Sequence, residues 1–125
     1  MPVTGPLIVR DLAALELPRR KLDPYDRPIG LLLVHEDAES GVEIYVVEYP
    51  AGMLATWHRH PSAHTMLVLE GELEVNGQII GPGALCRYPA DTPMHHAPAG
   101  DGPCRFVIVF EGSSDVAVVE PPASG

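Results

Sequence analysis

Basic residues are scarce in this chain: eight Lys and Arg stand against seventeen Asp and Glu, a formal net charge of −9 with His neutral. Nucleic-acid binding usually carries a basic patch or stripe, and none is present, so nucleic acid is not an expected partner. The one basic run, Arg19-Arg20-Lys21, is short and reads as a solvated turn. No apolar run approaches the roughly 20 residues of a membrane span. The start, Met1-Pro2-Val3-Thr4-Gly5-Pro6, lacks the basic region and apolar core of a secretion signal. The expectation is a cytoplasmic protein with no membrane contact. Cysteine is nearly missing: Cys86 and Cys104 lie too far apart for a Cys-x-x-Cys metal or redox motif. In the cytoplasm both would be reduced and would pack as small apolar residues. There is no Ser-His-Asp or Cys-His spacing of a nucleophilic site and no phosphate-cradling glycine loop. Internal repeats and low-complexity linkers are also absent.

What the chain has is 125 residues, 46% of them hydrophobic, which suits one domain with its own core. It also has a cluster of histidines. Three of the six fall within seven residues, in Trp57-His58-Arg59-His60-Pro61-Ser62-Ala63-His64. Side chains at i and i+2 share a face of a strand, so His58 and His60 can converge on one point. Imidazole is the commonest side-chain ligand for transition metals. Burying three imidazoles without a ligand would leave ring nitrogens unpaired, at roughly 1–3 kcal/mol each. The pattern therefore points to a metal site.

The order of elements predicts an all-β fold. Residues 1–28, with five prolines, read as an irregular N-terminal arm, with a short strand at Leu7–Val9 and a helical turn or two over Asp11–Leu17. From residue 29 short apolar strands alternate with Gly/Pro turns. They are expected at Ile29–His35, Val42–Tyr49, Met53–His60, Thr65–Leu69, Ala84–Tyr88, His95–Ala97, Cys104–Phe110 and Val116–Val119. Asn76-Gly77 between Glu72–Val75 and Gln78–Ile80 marks a two-residue hairpin. Residues 29–119 form the expected barrel and 120–125 a flexible tail. Such a sequence fits a sandwich or barrel.

The spacing of glycines and histidines resembles that of the cupins, small jelly-roll β-barrels. Their first motif runs Gly, five residues, His-x-His, three or four residues, Glu, six residues, Gly. Here Gly52, His58, His60, His64 and Gly71 keep every spacing, with His64 in place of the Glu. The second motif runs Gly, five residues, Pro-x-Gly, two residues, His. Here Gly83 and Pro89 match, Asp91 replaces the Gly, and Met94 falls where the His is expected. The likeness covers roughly residues 40–112 and implies a cupin jelly-roll. It places the chain among cupins with an all-histidine site.

Met94 reads as a pocket wall, since a thioether is an odd companion for three imidazoles. Of the two histidines that follow, unbroken strand alternation turns Met94 and His96 inward and His95 outward; a bulge would reverse this. His96-Ala97-Pro98, with Cys104 downstream, also resembles metal cupins whose ligand His precedes Ala-Pro. The expected metal set is thus His58, His60, His64 and His96, with His95 as the alternative to His96. Leu54 and Thr56 should share the inward face, while Trp57 and Arg59 point away, Arg59 toward a surface pairing. His35 is assigned no role, and the roles of Tyr45, Tyr49 and Arg87 stay open.

The resemblance implies one divalent transition metal per chain, Fe(II) or Mn(II), with Zn(II) as the alternative. A neutral His where a carboxylate is usual leaves the centre more positive, which favours anionic or enolate ligands. The leading expectation is a metal-dependent, dioxygenase-type enzyme acting on a small carbonyl, enol or aromatic substrate. Alternatives are a non-redox cyclase, isomerase or lyase, a bond-forming biosynthetic enzyme, or a non-catalytic module that binds a metal and a small molecule. The edge-rich barrel and its arm suggest a homodimer.

Overall fold

The computed structural model describes residues 5–122; residues 1–4 of the expected arm and 123–125 of the expected tail lie outside them. Eleven short strands make up the described fold. They are β1 (Arg19–Arg20), β2 (Ile29–Glu36), β3 (Glu43–Tyr49), β4 (His58–Arg59), β5 (His64–Glu70) and β6 (Glu72–Val75). Then follow β7 (Gln78–Ile80), β8 (Leu85–Tyr88), β9 (His96–Ala99), β10 (Cys104–Phe110) and β11 (Ala117–Val118). The only described helix is a 3-10 turn at Leu12–Ala14. All pairings are antiparallel, in a six-stranded sheet β1-β2-β3-β10-β5-β8, a three-stranded sheet β7-β6-β9 and a ribbon β11-β4. This is the expected all-β jelly-roll.

The core lies inside the six-stranded sheet. On β10 the side chains of Phe106, Ile108 and Phe110 point inward and are at most 5% exposed. Each contributes roughly 1.5–3 kcal/mol by leaving water. Tyr49 on β3 and Met66 and Val68 on β5 face the same interior. Leu73 and Val75 on β6 close it from the smaller sheet. The hairpin turn is as expected: Asn76 and Gly77 both take positive φ, 47° and 88°, the backbone that a primed two-residue turn requires.

The N-terminal segment differs from its sequence reading. Leu7–Val9 forms no strand, and Arg19-Arg20 is an edge strand paired with β2 rather than a turn. Arg105, buried on the outer face of β10, donates from one guanidinium nitrogen to the carbonyls of Leu12 and Leu15 at 2.9 Å each and faces Glu48 at 3.2 Å. That cluster fastens the arm to the sheet. Further along, residues 24–26 lie against residues 54–56: Asp26 N–H donates to Leu54 O and Thr56 N–H to Pro24 O, both at 3.0 Å, and Leu54 N–H donates to Asp26 Oδ1 at 2.9 Å.

This pairing corrects the expected strand over Met53–His60. Only His58–Arg59 is strand there. Met53 is buried, whereas Leu54 and Thr56 are exposed and do not share the inward face with the histidines. Alternation fails because residues 54–56 are held by the arm and not by the sheet. Arg59 is exposed and makes no ion pair among the described residues. Arg87 pairs with Glu111 at 2.8 Å at the surface.

Candidate metal centre

Three elements bring histidines together. The short β4 presents His58, whose backbone exchanges hydrogen bonds with Met94 (3.0 and 2.8 Å). That exchange sets Met94 and, two residues on, His96 beside it. His60 lies just beyond β4, where its carbonyl accepts the Asp91 N–H at 2.9 Å. Asp91 holds a left-handed φ of 59°, which explains how the chain turns there without glycine. One ring nitrogen each of His58, His60 and His96 lies within 4.8 Å of the others, and all three rings are buried.

Hydrogen bonds decide which nitrogens these are. His58 Nδ1–H donates to Thr56 O at 3.0 Å. His60 Nδ1–H is shared between Ser114 O and Asp115 O, both at 3.0 Å. His96 Nδ1 is 2.6 Å from Tyr49 Oη. Each Nδ1 is engaged, so Nε2 is the nitrogen left on each ring. Nε2 of His58 and of His96 is fully buried with no partner. A neutral imidazole with a hydrogen on Nδ1 offers a lone pair at Nε2. Converging, buried lone pairs repel one another and are costly unless a cation joins them. The donor set therefore fits a divalent metal ion with imidazole ligands and an open side.

Burial lowers the pKa of all four candidate histidines: His58 to about 4, His64 to about 3, His60 below its ordinary value and His96 well below it. Each is thus neutral at pH 7, as a ligand must be.

His64 is buried at the start of β5, with its ring 5.0 Å from that of His60. It does not complete a four-membered set at the same separation. Both of its nitrogens are buried and without partners. His95 turns outward, bonding Glu74 at 2.9 Å and packing against Trp57, and Met94 is buried as wall. The inward pair Met94 and His96 is the one that unbroken alternation gives.

His60 and His96 line a cavity of about 260 Å³. Its walls are mainly apolar, from Ile29, Leu31, Val47, Phe106, Ile108 and Phe110. Tyr25, Tyr45, Tyr49 and Ser114 add hydroxyls, Asp23 also lines it, and among the described residues no Lys or Arg does. Tyr45 Oη donates to Glu43 Oε1 at 2.8 Å, and Ser114 Oγ to the same oxygen at 2.6 Å. Tyr49 Oη is also 2.9 Å from Tyr25 Oη. Burial raises both phenols, Tyr25 to about 12 and Tyr49 well above its ordinary value.

The family model of the cupin domain matches residues 45–110, more than half of the chain. The chain belongs to the cupin family. No curated protein sequence matches this cupin significantly. Among solved structures, a cupin-like protein from Thermotoga maritima superposes with a TM-score of 0.74 at 17% identity, covering 87% of this chain and 89% of that one. An acetylacetone dioxygenase from Acinetobacter johnsonii gives 0.71 at 15%, covering 88% and 76%. A DMSP lyase from Ruegeria pomeroyi gives 0.64 at 20%, covering 82% and 60%. At these identities the likeness shows the fold alone. The family and the three convergent histidines together support a bound metal ion in this cupin.

Sequence spacing missed Tyr25, the carbonyls of Thr56, Ser114 and Asp115, and the Glu43–Tyr45–Ser114 cluster. The carbonyls carry no sequence signal, and Tyr25 sits in a proline-flanked segment far from both motifs. Among the described residues, no helix is long and apolar enough to cross a membrane.

Proposed function

We propose that this cupin is a metal-dependent enzyme of the dioxygenase type, acting on a small, largely apolar carbonyl, enol or aromatic substrate. The observation that carries the reading is the set of three histidines with engaged Nδ1, two of which, His60 and His96, line a mainly apolar cavity that no described Lys or Arg lines. His58, His60 and His96 hold the metal, and His64, outside that set of three but buried beside it with both nitrogens unpartnered, joins as the fourth ligand when the ion binds. Fe(II) or Mn(II) is the expected ion. When bound, such a metal supplies Lewis acidity for a chelating oxygen pair and, for iron, reactivity toward O2. The chain's own residues fix the ligand tautomers, exclude water with Phe106, Ile108 and Phe110, and leave room for a small neutral molecule. The acetylacetone dioxygenase among the structural neighbours lends this reading support at the level of fold.

The test is oxygen uptake by Fe(II)-loaded protein with 1,3-dicarbonyls and catechols. Uptake in step with loss of substrate is expected. Tightly held zinc and no uptake would overturn the dioxygenase reading. A non-redox lyase, isomerase or cyclase would then be favoured, for which the cavity hydroxyls of Tyr25 and Tyr45 are suitable proton-bearing groups.

Two further parts belong to this reading. Leu67 and Leu85 face each other in register on the outer sheet face and are exposed, 38% and 64%, which suits a homodimer; a monomeric mass by light scattering removes that part. Free Cys86 and Cys104 suit the reducing cytoplasm; a fusion found in the periplasm or outside the cell removes that one.

A further inference from the structure

The chain Tyr25–Tyr49–His96 runs from the arm, through β3, to β9, with oxygen–oxygen and oxygen–nitrogen separations of 2.9 and 2.6 Å. Either tyrosine can donate to the other; once His96 Nε2 is the metal-facing nitrogen, a premise that rests on the reading above, donation from Tyr49 to Tyr25 is the arrangement that leaves no hydrogen unpaired on the fully buried Tyr49. His96 Nδ1 then carries the ring's only hydrogen and donates to Tyr49 Oη. Tyr49 has a single hydrogen, which goes to Tyr25 Oη. Tyr25 keeps its own hydrogen, and among the described residues no acceptor other than Tyr49 lies within reach of its hydroxyl. Tyr25 lines the cavity that His60 and His96 also line.

We propose that Tyr25 is the hydrogen-bond donor this cavity presents to an oxygen of a bound neutral molecule, and that Tyr49 is the positioning residue that aims it from His96. The ligand class follows from the lining. A carboxylate or phosphate ligand would call for Lys or Arg; among the described residues neither lines the cavity, and Asp23 does. A neutral molecule with a carbonyl, enol or hydroxamate oxygen needs a donor in this mainly apolar pocket; the Tyr45 and Ser114 hydroxyls are directed to Glu43 and that of Tyr49 to Tyr25, so Tyr25 supplies it. The donor is brought by the arm, not the barrel: residues 24–26 are fastened to residues 54–56, next to the histidine cluster. The arm thereby completes the cavity.

The test uses the Co(II)-loaded protein and acetohydroxamic acid, a neutral molecule in solution that releases its N-hydroxyl proton to the medium as it binds open transition-metal centres through two oxygens, whether or not a dicarbonyl is turned over. Tyr25→Phe keeps the ring and removes only the hydroxyl. It is expected to bind Co(II) with wild-type stoichiometry and to bind acetohydroxamate about tenfold more weakly. Tyr49→Phe is expected to lower Co(II) affinity by about tenfold or more and to shift the Co(II) visible spectrum. Unchanged acetohydroxamate affinity in Tyr25→Phe, or no binding by wild type, overturns the proposal. So does a Tyr49→Phe spectrum identical to wild type.

A readout that needs no variant is the tyrosine ultraviolet difference spectrum of Zn(II)-loaded wild type on adding acetohydroxamate. A perturbed tyrosine band is expected, and an unperturbed one overturns the proposal. Failure of the dioxygenase reading is separate: it would show as no oxygen uptake with acetylacetone while the Tyr25 effect on acetohydroxamate persists.

Discussion

His96 Nδ1 lies 2.6 Å from Tyr49 Oη, and the two rings are stacked, with centroids 5.7 Å apart and planes 5° apart. Tyr49 belongs to the six-stranded sheet and His96 to the three-stranded one. The bond therefore crosses the core and fixes a candidate ligand of one sheet against the other. In metal-free protein, Tyr49→Phe leaves a buried Nδ1 without a partner and is expected to cost about 1–3 kcal/mol. Urea denaturation of wild type and variant, both stripped with a chelator, measures it; equal midpoints would show that the bond does not hold the sheets together.

The buried histidines set the acid sensitivity of the metal-free protein. Burial holds His58 at about 4 and His64 at about 3, against an ordinary value of 6.5. A histidine with a lowered folded pKa binds its proton in the unfolded state first. Its penalty is absent above pH 6.5 and grows as pH falls below it, by roughly 1.4 kcal/mol per pH unit for each such group. The growth ends near pH 4 for His58 and near pH 3 for His64. Denaturant unfolding at about pH 7.5 and at about pH 5 should show a stability loss of several kcal/mol on acidification. A flat profile would contradict burial of neutral imidazoles.

Gly71 closes the first motif with φ at 74°, and a Cβ there would lie 2.1 Å from the carbonyl oxygen of Pro103. The obstacle is backbone, which cannot swing aside. Gly71→Ala should destabilise by about 2 kcal/mol or more, read as a lowered thermal midpoint. A midpoint within a degree or so of wild type would mean that the Glu70–Glu72 turn is more plastic than drawn.

His64 and His95 are expected to behave oppositely. His64→Ala removes a buried imidazole with two orphaned nitrogens and should lower metal occupancy well below wild type. His95→Ala removes a side chain that faces Trp57 and Glu74 and should leave occupancy unchanged. Metal analysis of both variants decides; the reverse pattern would exchange their roles.

The sequence made some of these residues legible and hid others for physical reasons. His58 and His60 are given by motif spacing, and His96 by alternation, because residues 94–96 pass through sheet contacts that enforce a period of two. The same rule misplaced Leu54 and Thr56, where the arm takes the backbone hydrogen bonds and no regular strand forms. Tyr25 was hidden because its contact with Tyr49 spans 24 residues and depends on how the arm folds back. His64 was legible as a buried histidine at the glutamate position. Its ring lies beside the cluster of three without its nitrogen joining them.

We propose that His58, His60 and His96 hold one metal ion beside the cavity that His60 and His96 line. Elemental analysis of purified protein, alongside a His58→Ala/His96→Ala double variant, tests it most directly. Close to one transition-metal ion per chain is expected in wild type after reconstitution and almost none in the double variant. A wild type that takes up no metal, or a double variant that takes up as much, would contradict it.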